Sequence, residues 1–396
     1  MSNLKIQIQQ LAESYFEEIR SIRRHLHTHP ELSFEEYNTA AFIAEKLTEF
    51  GIPFTPNIAK TGIVGIISGK EKGKTIALRA DMDALPITEA NDIDYKSQNA
   101  GVMHACGHDV HTACLLGAAK ILNTLKDSFN GTIKLIFQPS EERLPGGANE
   151  MITAGVLQNP EVDFIFGQHV FTPYKVGTLA FCPGKMMAST DELYITIKGK
   201  GGHAAYPHQL IDPVVISAQI ITALQQLVSR STSPTEPSVV SIGKVIANGA
   251  TNVIPNEVYM EGTLRAMQED ARTMLQEKIK TTIHGIANAM GANAEVEIKI
   301  GYPSLINDID LTERTITNAK EYLGEENVFI AEPRMGAEDF AFYSQKIASC
   351  FYRLGTGNPE KGITSNIHTP TFNIDEEALK IGMGFMAFNA LKSIEY

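Results

Sequence analysis

Nowhere does the chain approach the ~18 consecutive apolar residues that a membrane-spanning helix needs. Its opening Met1-Ser-Asn-Leu-Lys-Ile-Gln-Ile-Gln-Gln10 lacks the charged-then-apolar order of a secretion signal. A soluble, cytoplasmic protein is expected. Positive charge is in deficit: Lys+Arg 34 against Asp+Glu 46 leaves a net charge of −12. Such a surface repels phosphate backbones and anionic bilayers, so neither a nucleic-acid nor a membrane partner is expected. Cysteine is sparse, with Cys106, Cys114, Cys182 and Cys350 scattered through 396 residues. That is no disulfide framework, and any role lies in the thiol itself. Internal repeats and low-complexity tracts are also missing, which argues against a solenoid or an array.

What is present is enough apolar material, 43% of residues, for a real core divided over two or three domains. Disorder is excluded as the main state. Helices are expected from about Leu4 to Arg24 and from Ser33, where Ser33-Phe-Glu-Glu36 has the form of a capping box and Gly51 a plausible stop. Apolar runs at Ile63–Ile67, Ile76–Leu78, Ile133–Phe137 and Phe164–Phe166 alternate with helical stretches such as Val110–Leu125. This is the pattern of a mixed or parallel sheet covered on both faces. From Glu192 the period changes to a strict alternation of Leu193, Ile195 and Ile197 with polar residues. A helix opening at Asp212-Pro213, strands at Val239–Ala247 and Val258–Leu264, a helix over Glu269–Met290 and a strand at Ala294–Ile300 come next. The order βαββαβ describes a ferredoxin-like sandwich. After Pro303, a helix over Leu311–Leu323, a strand at Val328–Ile330 and a closing helix from Asp375 complete the chain.

Polar residues collect just past the strand ends: Asp81 and Asp83, Glu141 and Glu142, then His169. In open α/β sheets that edge is where ligands bind. Cys106 and His108, two apart in a Gly-containing turn before a helix, can face one ion, and a thiolate with a neutral imidazole suits zinc and similar metals. Two other readings stand beside this one: a buried small cysteine among surface histidines, and a Cys106 nucleophile with His104 or His108 as its base. Of the neighbouring Glu141 and Glu142, one carboxylate can bind metal while the other accepts a proton from water; a solvated surface pair is the plain alternative. His169 and His368 are each the kind of histidine that is more often structural. A two-metal site needs about five or six protein donors, and Cys106, His108, Glu142, His169 and His368 together make a sensible complement. His25, His27 and His29, with alternating spacing after a helix, read as loop-packing residues rather than as a metal clip.

The segments Arg79-Ala-Asp-Met-Asp-Ala-Leu-Pro86, His104-Ala-Cys-Gly-His-Asp-Val-His111, Gln138-Pro-Ser-Glu-Glu142, Gly201-Gly-His-Ala-Ala-Tyr-Pro207 and Gly336-Ala-Glu-Asp-Phe340 occur in this order. Together they resemble the aminoacylase and carboxypeptidase superfamily of co-catalytic metallohydrolases. The match is closest to the amidohydrolase branch with hippurate hydrolase, N-acetyl-amino-acid deacetylases and the indoleacetyl-amino-acid hydrolases. The resemblance runs from His25 to His368. It implies an α/β metal-binding domain, residues 1–187 and 302–396, interrupted by the ferredoxin-like unit, residues 188–301, as a lid and homodimerisation module. It also implies two divalent cations, manganese, zinc, cobalt or nickel, bridged by Cys106, with Glu142 and His368 completing one site and His108 and His169 the other. Glu141 would be the general base, and His203 would reach the scissile carbonyl from the partner subunit. Asn252 and Arg265 would hold the substrate carboxylate. One departure stands out: Asp81 occupies the place of the superfamily's usual metal-binding histidine, which leaves Asp83 an orienting role behind the ligands. The implied activity is hydrolysis of N-acyl amino acids to a carboxylate and a free amino acid. A dipeptidase or carboxypeptidase remains open, as do a Cys106 thiol hydrolase and a non-catalytic metal-binding protein.

Overall fold

The apolar runs become strands in a computed structural model that describes residues 2–396. Strands β1 (Phe54–Ile58), β2 (Gly62–Ser68), β3 (Thr75–Asp81), β4 (Thr132–Gln138) and β5 (Phe164–Lys175) form most of an eight-stranded sheet in the order β1-β2-β4-β3-β5. Strand Ser349–Gly357 continues it beside β5, with Leu179–Phe181 and Val328–Ile330 beyond. The central run β4-β3-β5 and Ser349–Gly357 is parallel, whereas β1 and β2 pair antiparallel. Every residue of β3 is buried, the signature of a strand covered on two faces.

Three long helices pack together on this sheet: α1 (Ser2–Thr28), α3 (His108–Thr124) and the C-terminal helix Ala378–Ile394. The shorter α2 (Tyr37–Glu49) lies against β1 and β2. One apolar cluster joins Ile19 and Leu26 of α1, Leu115 and Leu122 of α3, Leu78 of β3 and Phe385 of the last helix. At about 25 cal/mol per Å² of apolar area, burial on this scale is what holds the layers together.

Three expectations are corrected here. Helix α1 continues to Thr28, so His25 and His27 lie within its last turns and only His29 lies beyond it. The interior of the unit explains this: His27 is buried and its ring nitrogens lie 2.8 Å from Asp109 Oδ2 and 3.1 Å from Glu89 Oε1. The capping box at Ser33 does not form. Glu36 is the residue before α2 and makes no side-chain cap; instead Glu31 accepts from the backbone N–H groups of Asn38 and Thr39 in the first turn. The closing helix starts at Ala378 and not at Asp375, because the Asp375 N–H donates to Thr356 O and its carboxylate receives Asn358 and Lys361.

The chain forms two compact units. One comprises the residues through Gly184, Ile306–Glu332 and Phe342–Tyr396; the other comprises Lys185–Leu305 and Pro333–Ala341. The second contains the antiparallel sheet Ser238–Ile246, Glu257–Ala266, Asp191–Lys198, Asn293–Ile300, in that spatial order, with helices Pro213–Ser231 and Glu269–Ala289. In order of sequence this is 2-3-1-4, the βαββαβ arrangement of a ferredoxin-like sandwich. Leu193, Ile195 and Ile197 are fully buried against Ile220, Leu224 and Ile279. The segment carrying Gly336 and Phe340 belongs to this unit, held by Arg334 N–H to Met186 O and Ala188 N–H to Gly336 O. Among the described residues no helix is long and apolar enough to cross a membrane.

Candidate metal centre

The parallel strands of the first unit end at one edge; β3 and β4 supply residues at or just past their ends, whereas His169, expected past a strand end, lies within β5 because that strand runs on to Lys175. β3 ends at Asp81, with Asp83 two residues on; β4 ends at Gln138, before Glu141 and Glu142. His169 lies in β5 and pairs with Arg353 of the neighbouring strand. Helix α3 begins at His108, immediately after Gly107, whose φ of +84° and closeness to Val170 exclude a side chain: a Cβ there would stand 2.4 Å from Val170 Cγ2. This turn drops Cys106 and His108 against β5.

The expected donors converge. Cys106 Sγ lies 3.4 Å from His169 Nε2 and 3.3 Å from His368 Nε2, and His368 Nε2 lies 3.2 Å from Glu142 Oε1. The expected donors, with Glu141, fall within 4.8 Å of one another in overlapping groups, Cys106, His108 and His169; Cys106, Glu142 and His368; His108, Glu141 and Glu142, and Asp81, His108 and His111 form a further one. Cys106 is common to the first two and is buried at 5% exposure, while His368 is half exposed.

Hydrogen bonds set the tautomers. His108 Nδ1 faces two acceptors, Asp83 O at 2.9 Å and Asp83 Oδ1 at 3.1 Å, so it carries the proton and leaves Nε2 for the centre. His169 Nδ1 faces Val170 O at 2.7 Å with the same result. Outer partners of this kind are how metal-binding imidazoles are oriented. The buried atoms His108 Nε2 and Glu142 Oε1 make no hydrogen bond, Glu142 Oε1 having instead the ion-pair approach of His368 Nε2 at 3.2 Å. Buried polar atoms without a hydrogen bond are costly, and a cation would satisfy these two; a thiol, imidazoles and a carboxylate are a donor set that such an ion accepts. The residues present therefore fit two divalent metals.

Electrostatics agree. Burial opposes charge on His108, but Asp81, then the Asp83 hydrogen bond and charge, outweigh it and hold its pKa up at about 10. The field that retains this proton is one that draws a cation. Burial, then Glu142, Glu141 and Asp81, push the Cys106 thiol well above its ordinary value. A cysteine in that field is not an ionised nucleophile by itself, which weighs against the thiol-enzyme alternative. Burial and then His111 push His169 well below the ordinary imidazole value, so it presents a neutral ring.

Composition and spacing do not show the next layer. Asp83 is buried and binds three ways: its Oδ1 to His108, its Oδ2 to the Ser33 hydroxyl at 2.6 Å and to the Glu142 N–H at 3.0 Å. Asp81 receives Arg79 at 2.6 Å and His111 Nδ1 at 2.6 Å, and its Oδ2 stands 3.7 Å from His108 Nε2. The Val170 N–H donates to His111 Nε2, so His111 links Asp81 to the strand that carries His169. Arg79 and His111 were legible only as part of motifs, with no signal for these partners.

His203, Asn252 and Arg265 lie in the second unit. His203 is exposed in a two-stranded ribbon with Val253, and its Nδ1 accepts from the Ala205 N–H, which leaves Nε2 as a donor. The Asn252 carbonyl accepts from the Ala204 N–H beside it. Arg265 is elsewhere in the unit, on strand Glu257–Ala266 opposite Val239, and half-buried; burial lowers its pKa, with Asp191 partly offsetting.

Residues 77–391 match the model of peptidase family M20/M25/M40. The chain belongs to this family. Among M20 relatives, it is 42% identical to N-acetylcysteine deacetylase of Bacillus subtilis over 377 residues, 95% of this chain and 96% of that one. It is 45% identical to N-acyl-L-amino acid amidohydrolase of Geobacillus stearothermophilus over 303 residues, 76% of this chain and 81% of that one. The solved structure of a Bacillus subtilis dinuclear metal-binding peptidase of the M20 family superposes with a TM-score of 0.84 at 38% identity, over 97% of this chain and 99% of that one.

Proposed function

We propose that the protein is a two-metal amidohydrolase that cleaves the amide of N-acyl L-amino acids, releasing a carboxylic acid and the free amino acid. The observation that carries this reading is the convergence of Cys106, His108, Glu142, His169 and His368 beside Glu141, with buried His108 Nε2 making no hydrogen bond. Cys106 would be shared by both ions, with Glu142 and His368 serving one and His108 and His169 the other. Bound divalent cations supply Lewis-acid polarisation of the acyl oxygen and a lower pKa for water.

The chain's own groups do the rest. Glu141, within reach of His108 and Glu142, takes the proton of the attacking water and passes it to the departing amine. His203, with Nε2 free to donate, supports the oxyanion of the tetrahedral intermediate from the partner subunit. Asn252 and Arg265 hold the substrate carboxylate, and Asp83 orients His108. A homodimer through the inserted unit is supported by exposed apolar side chains there, among them Val215, Val245 and Ile300, and by the free outer edge of strand Ser238–Ile246. The four cysteines, none in a disulfide, accord with a cytoplasmic location.

The test is a panel of N-acetyl, N-benzoyl and N-succinyl amino acids with manganese, zinc, cobalt or nickel supplied. Hydrolysis that stops on chelation and returns with metal is expected. Activity that survives metal removal but is lost on thiol alkylation would instead make Cys106 a nucleophile. A metallo-dipeptidase is the second reading, favoured by the neighbour described as a peptidase; dipeptides in the same panel separate the two.

A further inference from the structure

We propose that Glu36 is a positioning residue that sets the turn bearing Glu141 and Glu142; this rests on the roles just given to those two residues. Glu36 is fully buried and lies 104 positions before the residue it holds. Its Oε1 accepts from the Ser140 N–H at 2.9 Å and the Phe34 N–H at 2.8 Å, and its Oε2 accepts from the Thr61 hydroxyl at 2.7 Å. Both residues tied by Oε1 are left-handed, Ser140 at φ +48° and Phe34 at φ +63°. Neither is glycine, so each conformation is strained and persists only where surroundings enforce it.

The enforcement at Ser140 matters because the two carboxylates are the next residues in the chain. Left-handed Ser140 turns the backbone at the end of β4 and sends Glu141 and Glu142 to their places. The rest of the turn is pinned as well: Gly147 N–H donates to Ser140 O, and a Cβ at Gly147 would stand 1.8 Å from Pro139 O. Glu142 N–H donates to Asp83, which also receives Ser33. The segment Ser33–Glu36 thus reaches the site twice, through Ser33 to Asp83 and through Glu36 to Ser140. Helix α2 does not need either side chain, since Glu31 satisfies its first turn. A buried carboxylate given to a strained backbone amide beside the proton-transfer group is a device for holding geometry, where a shift of about 1 Å costs about 100-fold.

The test uses full-length protein with manganese and N-acetyl-L-methionine. Glu36→Ala is expected to lower kcat about 100-fold at saturating manganese, with KM changed less than about threefold and metal affinity weakened, because Glu142 shares the displaced turn. Adding Ser140→Gly, which makes the left-handed turn intrinsically accessible, is expected to recover at least about tenfold of that loss. Rescue by a change that adds no contact is a readout that general destabilisation does not give. A folded Glu36→Ala protein at the parent kcat overturns the proposal, and so does a loss that Ser140→Gly fails to relieve. If Glu36→Ala does not fold, Glu36→Asp serves, since it retracts the acceptor by one methylene: about a tenfold loss relieved by Ser140→Gly is expected, and no loss overturns. Glu141→Gln measured alongside separates the two ideas. An active Glu141→Gln protein removes the base assignment itself, whereas an inactive one beside a fully active Glu36→Ala protein removes only the role of Glu36.

Discussion

Each unit of this protein buries carboxylates, and the two treat them differently. In the inserted sandwich, Asp191 is closed on all sides: Arg272 Nε at 3.0 Å, Arg272 Nη2 at 2.5 Å, Gln276 Nε2 at 2.7 Å and Gly301 N–H at 3.0 Å. Charge and hydrogen-bonding capacity are met within the chain. In the first unit, His108 Nε2 is buried without a hydrogen bond and Glu142 Oε1 meets only ion-pair approaches, His368 Nε2 at 3.2 Å the shorter, while Asp81, Asp83 and Glu141 crowd the same edge. A buried cluster that satisfies itself is architecture; one that gathers more carboxylates than the cations of the chain can pair, with imidazole and thiol donors converging on them, suits a cation.

Mutations can break this contrast, and the expected effects on activity fall in order. Glu141→Gln should lower kcat by about 10³-fold, in the range of lost general base catalysis, with the metal content of the parent protein. Near-normal turnover, measured against parent enzyme at equal metal loading, would end the base assignment. Glu142→Ala or His368→Ala should lose metal, read by elemental analysis after dialysis, and lose activity that excess metal partly restores. Full occupancy in both would remove them from the ligand set. Asp83→Asn should weaken metal affinity by about 10–100-fold, the usual cost of disturbing a group behind a ligand; an unchanged affinity in a metal titration would leave Asp83 as packing only. Arg272→Met should leave kcat and metal content unchanged while costing about 3–5 kcal/mol of stability, because Asp191 is stranded. Chemical denaturation measures that cost, and a stable variant would show that the pair contributes nothing.

The same contrast explains how much was legible in the sequence. The insert obeys a binary pattern: Leu193, Ile195 and Ile197 point one way, and the order of periods alone predicts βαββαβ. Of the donors, Glu142 was legible as a residue just past an apolar strand, where chain direction in a parallel sheet brings the ends together; Cys106 and His108 were legible from a Gly-containing turn before a helix, His368 only in company with the others, and His169, expected past a strand, lies inside β5. The wiring behind them was not. Ser33-Phe-Glu-Glu36 satisfies the local rule for a helix start, yet its side chains are taken by Asp83, Thr61 and Ser140, distant residues that no local pattern names. His27 shows the same limit, because its spacing suits a loop while Asp109 and Glu89 hold it inside a helix end. Asp81 was placed where a ligand belongs, but only the fold reveals that Arg79 and His111 receive its carboxylate.

The most direct test is an anomalous-scattering map of crystals grown with manganese. Two peaks are predicted, both coordinated by Cys106 Sγ, one also by Glu142 and His368 and the other by His108 and His169. A single ion, or ions away from Cys106, would contradict the account.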